Sequence, residues 1–219
     1  MTDLVSTRDF YDLLKQIIKD LFDDVEEFTD YILNEPNLKV DNIESLLRNM
    51  LEDVVEIIKK WIQKKYKIKD SFFRNFPSLD NLIYHNEGWT LHNAINKHFQ
   101  AYNKWRIKEN LLNALMSILV TEIQRLPNTI FDEVVRRTHL FEYVTIFGKA
   151  GCGTRCSKHY GTYIIDVDDY ELPPYHKAFW NGKRLIPACQ CKYCYHDSDE
   201  LDEEDLLELE SDDLEEGIE

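Results

Sequence analysis

Along the first 138 residues, large apolar side chains recur every three or four positions, and from Leu140 that period gives way to alternation. The first spacing lines up one face of a helix, and the second lines up one face of a strand. The pattern restricts the chain to a mainly α fold: long amphipathic helices followed by a small α+β C-terminal module.

The first stripe runs from Phe10 through Leu13, Ile17, Leu21, Phe28 and Ile32. Ser6 and Asp9 offer a capping-box-like start, and the helix is predicted to end near Asn34, before Pro36. A second helix is predicted from Asp41, with Glu44 three residues on, to about Lys69, carrying Leu47, Leu51, Val54, Ile58, Trp61 and Ile62. Residues 70–89 mix Pro77, Gly88, Asn and Ser with aromatics, so they read as a connection held down by Phe72, Phe73 and Phe76. A third helix is predicted from Leu91 to Leu126, because Pro127 lacks the amide hydrogen needed to continue. At about 1.5 Å per residue it would span about 50 Å, so it either kinks or serves as a spine docked on something larger. Its positions Leu112, Leu115, Ile118, Leu119, Ile123 and Leu126 extend beyond what three partner helices would cover. A short fourth helix, capped by Thr129, is predicted over Ile130–Thr138.

Beyond Leu140, Phe141, Tyr143, Thr145 and Phe147 alternate with Glu142, Val144 and Ile146, and residues 160–167 are rich in Tyr, Ile, Thr and Val. Two strands therefore flank the turn GKAGCGTRC, in a module of two or three strands. All five cysteines lie here, as Cys152-x3-Cys156 and Cys189-x-Cys191-x2-Cys194. Cysteines serving as small hydrophobes would be spread through the core, whereas two close-spaced thiol clusters joined by a long loop bring four soft ligands to one tetrahedral ion. A pair separated by two to four residues wraps a tight turn, as Cys152 with Cys156 and Cys191 with Cys194 would. The expected ligands of a structural Zn2+ are Cys152, Cys156 and two of Cys189, Cys191, Cys194 and His176, with His159 and His196 as outlying candidates. A merely packed cysteine cluster competes with this reading. Redox chemistry lacks the thioredoxin-like βαβ context it would need.

With 43% hydrophobic and 12% aromatic residues, 219 residues can bury a real core. The net charge of −15 is not a property of the body, because Asp197–Glu219 holds 14 acidic residues and no basic ones, while residues 1–196 carry 27 acids against 26 bases. Three parts are expected: a helical domain over 1–139, a cysteine-rich β module over 140–196, and an acidic tail over 197–219, disordered because its like charges repel. Nowhere do 18 consecutive apolar residues occur, and MTDLVSTRDF has no basic, then apolar, start, so neither a membrane partner nor secretion is expected. The odd cysteine count favours a reducing compartment.

Catalytic signals are weak, and the chain is expected not to be an enzyme. His92 and His98 are six residues apart and do not share a helix face, and His85 lies apart from both. Asp166, Asp168 and Asp169 read as a solvated turn. A Gly-rich phosphate loop, GxSxG and HExxH are all missing. KKWIQKKYKIK, Lys59–Lys69, and KWRIK, Lys104–Lys108, combine bases with aromatics as nucleic-acid grips do. Trp61 and Ile62 continue an apolar stripe, however, and lysines suit the solvent face and the negative C-terminal end of such a helix.

From about Thr121 to Cys194 the chain resembles the C-terminal domain of phage minor head, or head morphogenesis, proteins related to the F protein of phage Mu. The resemblance rests on FEYVTIFGKAGCGTRCSKHYGTYIIDVDDYELPPYH followed by IPACQC. Tyr143, Gly151, Cys152, Cys156, Gly161, Tyr163, Asp166, Pro173, Pro174, His176, Pro187, Cys189 and Cys191 look like the family's positions. Three departures stand: the first pair is C-x3-C instead of C-x2-C, KAFWNGKRLI separates Pro-Pro-x-His from Pro-x-Cys-x-Cys, and Cys194 is additional. The resemblance implies a virion protein in few copies at the portal vertex, present in the host cytoplasm during assembly. Its partners would be portal and other capsid proteins, and the packaged DNA. The competing expectation is a cytoplasmic zinc-ribbon regulator that binds nucleic acid or polymerase.

Overall fold

The computed structural model describes residues 7–83, 90–148, 157–170, 172, 179–180, 185–186 and 191–197. Among the described residues six α-helices, with a 3-10 turn at Asp70–Asn75, precede five strands: α1 Thr7–Asp20, α2 Phe22–Asn34, α3 Val40–Tyr66, α4 Leu79–Leu82, α5 Leu91–Trp105 and α6 Lys108–Thr138, then β1 Tyr143–Gly148, β2 Gly161–Ile164, β3 Phe179–Trp180, β4 Leu185–Ile186 and β5 Cys191–His196. The chain is thus mainly helical with a small antiparallel sheet, as the change of period predicts. Ser6 and the segment 198–219, where the helix start and the acidic tail are expected, lie outside the described residues. Among the described residues no helix is long and apolar enough to cross a membrane.

The predicted first helix is interrupted once, at Leu21, where Leu21 N–H still donates to Ile17 O and Val25 N–H to Leu21 O, each at 3.0 Å. The helices that follow depart from the pattern at two places. The helix predicted from Leu91 stops at Trp105, where Arg106 takes the left-handed conformation with φ 55°. The helix then runs through Pro127, which was expected to end it. An interior proline costs about 3 kcal/mol through its lost hydrogen bond and ring clash. Downstream, Ile130, Phe131, Val134 and Val135 are fully buried, and at roughly 1.5–3 kcal/mol for each large apolar side chain their burial outweighs that cost. Packing, not local propensity, decides that the separately predicted Ile130–Thr138 helix is the last part of α6.

α6 is the central rod. It packs against α1, α2, α3, α4, α5 and β3. Leu115, Leu119, Ile123 and Leu126 are buried, with Leu112 and Ile118 half-buried in the same cluster. The stripe expected to outrun its partners is therefore covered by this chain. At the α5–α6 corner, Lys108 Nζ donates to Leu33 O at 2.9 Å and Glu35 O at 2.6 Å. Those carbonyls close α2, where helix ends leave acceptors unmet and favour a cation.

The connection after α3 is held as expected. Phe72, Phe73 and Phe76 pack on one another, with centroids 5.1–6.1 Å apart. In the sheet the order is β2-β1-β5, all antiparallel, with Val144 opposite both Tyr163 and Tyr195. β3 and β4 form a separate two-residue pairing. One hydrophobic cluster runs from Leu13 in α1 to Tyr195 in β5, crossing the boundary expected at residue 139.

Phe131 of α6 sits at the join, its ring 5.3 Å from Tyr66 of α3, 5.0 Å from Tyr195 of β5 and 6.3 Å from Phe141. Truncating such a ring leaves a cavity and costs about 3–5 kcal/mol. Phe131→Ala should lower the thermal midpoint by roughly 10 °C, with helical ellipticity and near-ultraviolet tyrosine signal lost in one transition. A variant whose helices melt at the original temperature while only the tyrosine signal changes would contradict a core shared by helices and sheet.

Candidate functional site

Alternation gives the sheet two unlike faces. Val144, Ile146, Tyr193 and Tyr195 face α6 and are buried at 2% exposure or less. The opposite face carries Thr145, Thr162, Cys194 and His196. There Thr145 Oγ1 lies 2.9 Å from both Thr162 Oγ1 and His196 Nε2, and the His196 ring stacks on Tyr143 at 5.7 Å. Cys194 and His196 are buried as well.

Between α6 and the sheet lies a buried polar knot. Asp132 Oδ1 accepts hydrogen bonds from Tyr170 Oη at 2.7 Å and Tyr195 Oη at 3.2 Å, and its Oδ2 accepts from Arg136 Nε at 2.9 Å. Arg136 also donates to Tyr170 O at 3.2 Å, and its guanidinium lies 4.0 Å over the Tyr170 ring. Burial first, and the Asp132 carboxylate second, push the Tyr170 phenol far above its usual range. Tyr170 therefore stays a donor at any physiological pH, as the carboxylate beside it requires. With its oxygens engaged by three donors, Asp132 ties α6 to the β module.

A second pair secures the other flank of α6. Arg125 donates to Glu122 Oε2 at 2.9 Å and Thr129 Oγ1 at 3.1 Å, and also to Leu82 O at the end of α4. Glu122 is only 2% exposed, so removing Arg125 would strand a buried charge. At the end of α6, His139 closes the helix in the left-handed conformation with φ 50°, and its Nδ1 lies 2.6 Å from Asp166 Oδ2. Asp168 accepts from Ile164 N–H at 2.6 Å, so the acidic residues after β2 do form a solvated turn. His92 pairs with Glu44 at 2.7 Å, a surface contact.

Of the candidate metal ligands, Cys152, Cys156, His176 and Cys189 lie outside the described residues, and Cys191 is placed by its backbone alone. The register is informative even so. β1 leaves the sheet at Gly148, which lies directly opposite Cys191 at the entry of β5. Cys152 follows Gly148 by four residues and Cys189 precedes Cys191 by two. The ends of β1 and β5 from which the chain runs on towards these cysteines are therefore adjacent. The tight turn expected over Cys191-x2-Cys194 is instead extended strand, and Cys194 lies three residues inward, opposite Thr145. His159, an outlying candidate, is buried beside the start of β2. Among the described residues no three His, Cys, Asp or Glu side chains form a metal-binding group.

Asp132, Arg136 and Tyr170 escaped the sequence reading. The available signal was a carboxylate one residue after Phe131 in an apolar helix, with an arginine four residues later on the same face. Its phenolic partners, 38 and 63 residues away, left no local trace.

A hydrogen bond to a charged acceptor contributes about 1.5–3 kcal/mol, so Tyr170→Phe should lose that much stability at pH 7. The folded-state pKa of Tyr170 is raised, so this stabilisation is complete below the unfolded tyrosine value of about 10 and declines as pH rises above it. Urea unfolding at pH 7, 10 and 11.5 should therefore show the gap between wild type and Tyr170→Phe narrowing at alkaline pH. A gap that widens would refute the assignment.

No family model, curated protein or solved structure matches this chain.

Proposed function

We propose that this protein is a structural component of a phage head: a minor head protein at or near the portal vertex, acting through protein–protein contacts and carrying a zinc-stabilised C-terminal module. The observation that carries the reading is the Gly148–Cys191 register beneath a run of residues ordered as in the phage minor head proteins. Tyr143 on β1, Gly161 and Tyr163 on β2, and Cys191 on β5 belong to that run and to one three-stranded sheet. The chemistry of the site agrees with a structural role, since the buried carboxylate and arginine side chains on α6 are engaged in holding elements together.

The donor set fits zinc at the sheet end. Cys152, Cys156, Cys189 and Cys191 supply four soft ligands in two close-spaced pairs, with His176 as the substitute. Cys194 fits poorly, being fully buried and set inward by about 10 Å of strand. The ion would add folding energy to the module, since metal binding to ligands that are not preformed is itself folding free energy. Portal and neighbouring capsid proteins, and packaged DNA, are the partners this reading implies.

Two measurements test it. Protein purified without chelator should contain one equivalent of zinc, retained in Cys194→Ala and lost in Cys152→Ser/Cys156→Ser together with the module's tyrosine signal. Zinc well below one equivalent, or loss in Cys194→Ala alone, overturns the ligand assignment. In cells producing the particle, the chain should sediment with purified heads in a few copies at a single vertex. Its absence from heads overturns the assembly role whatever the metal result.

A further inference from the structure

We propose that the acidic segment 198–219 folds back onto the lysine-rich end of α3 and occupies it, so that the chain shields its own basic surface. The charge of the body is divided along the sequence. Residues 1–56 hold 15 acidic and five basic residues, whereas residues 57–196 hold 21 basic and 12 acidic ones. The densest basic run is Lys59–Arg74, with six lysines and one arginine against a single acid, Asp70.

These cations face water. Lys60, Lys64, Lys67 and Lys69 are exposed on the last turns of α3 and just beyond it. Lys59, in contrast, pairs with Glu56 at 2.9 Å, and Asp70 accepts from Gln63 at 3.1 Å. Lys60 and Lys64 stand four apart on one helix face, where like charges repel. The helix dipole accounts for cations in the final turn only. It leaves unexplained Lys60, nearly two turns from the end, and Lys67 and Lys69, past the end.

The aromatic join decides which polyanion is closest. Tyr66, the last residue of α3, and Tyr195 of β5 both pack on Phe131, at 5.3 and 5.0 Å. The acidic segment follows Asp197, two residues past Tyr195, so it begins two ring contacts from the lysines. It carries 13 acidic and no basic residues over 22 positions. That length extends to as much as about 70 Å, far more than the path requires. A tethered segment of this kind acts at an effective concentration of about millimolar. The first 56 residues, themselves strongly acidic, repel it. At physiological salt exposed charges act over about 8 Å, so the contact is one of close apposition and is sensitive to salt.

The test is carbodiimide coupling of the full chain, which joins carboxylates to lysine amines in contact, read by peptide mass spectrometry. A one-to-one mixture of isotope-labelled and unlabelled protein separates links within a chain from links between chains. At low salt, links from the 198–219 carboxylates to Lys60, Lys64, Lys67 and Lys69 should lie within one chain. They should exceed links to Lys97, Lys104 and Lys108 at least tenfold and fall to parity in 1 M sodium chloride. Links spread evenly over the lysines, or mainly mixed-isotope links, overturn the proposal, the latter in favour of a second copy as occupant. A second arm uses a fluorescent 20-nucleotide oligo(dT) as a competing polyanion. Full-length protein with the carboxylates of 198–219 changed to amides should bind it at least tenfold more tightly than wild type. Adding Lys60→Gln, Lys64→Gln, Lys67→Gln and Lys69→Gln should abolish that gain. An unchanged affinity on neutralising the segment, or a gain that survives the lysine substitutions, overturns it equally.

Discussion

The packing of Phe131 against Tyr66, Phe141 and Tyr195 is the constraint on which the rest of the molecule depends. It brings the end of α3, the last turns of α6 and the β5 strand to one point. Aromatic rings bury large areas and favour tilted or edge-on contacts, so a cluster of four fixes orientation as well as proximity. The Tyr66–Phe141 and Phe131–Tyr195 pairs are edge-on, with interplanar angles of 84° and 76°.

Directly beside this join, α6 places Asp132, which takes hydrogen bonds from Tyr170 and Tyr195 while Arg136 balances its charge. A charge removed from water is costly unless paired and fully hydrogen-bonded, so the knot tolerates only one arrangement of its partners. The rings set the orientation of helix against sheet. The carboxylate adds direction, because both phenols must converge on one oxygen. The helical rod and the sheet therefore share one core around α6, which suits a protein whose proposed work is to hold other proteins in place.

The other consequence of the join is electrostatic. The lysine-rich end of α3 and the end of β5 are brought near each other by ring contacts that are themselves uncharged. The apolar core thereby sets where the chain enters its acidic segment relative to the exposed lysines of α3.

The amino-acid pattern by itself determined the class of element almost everywhere. Apolar residues at three-and-four spacing specified α2, α3 and α5, and alternation after Leu140 specified β1 against β2, because each regular backbone admits only one period for a buried face. It also located the thiols, whose role rests on residues mostly outside those described. What only the tertiary structure decided is where local rules give way. Arg106 stops a helix that propensity would continue, and Pro127 fails to stop one that propensity would end, the latter because Ile130, Phe131, Val134 and Val135 beyond it are buried against elements distant in sequence. The pairing of β5 with β1, the strand rather than turn at Cys191–Cys194, and the convergence of Tyr170 and Tyr195 on Asp132 are likewise long-range. Such contacts depend on which surfaces face each other once the helices have packed, and a one-dimensional pattern carries each surface without its partner.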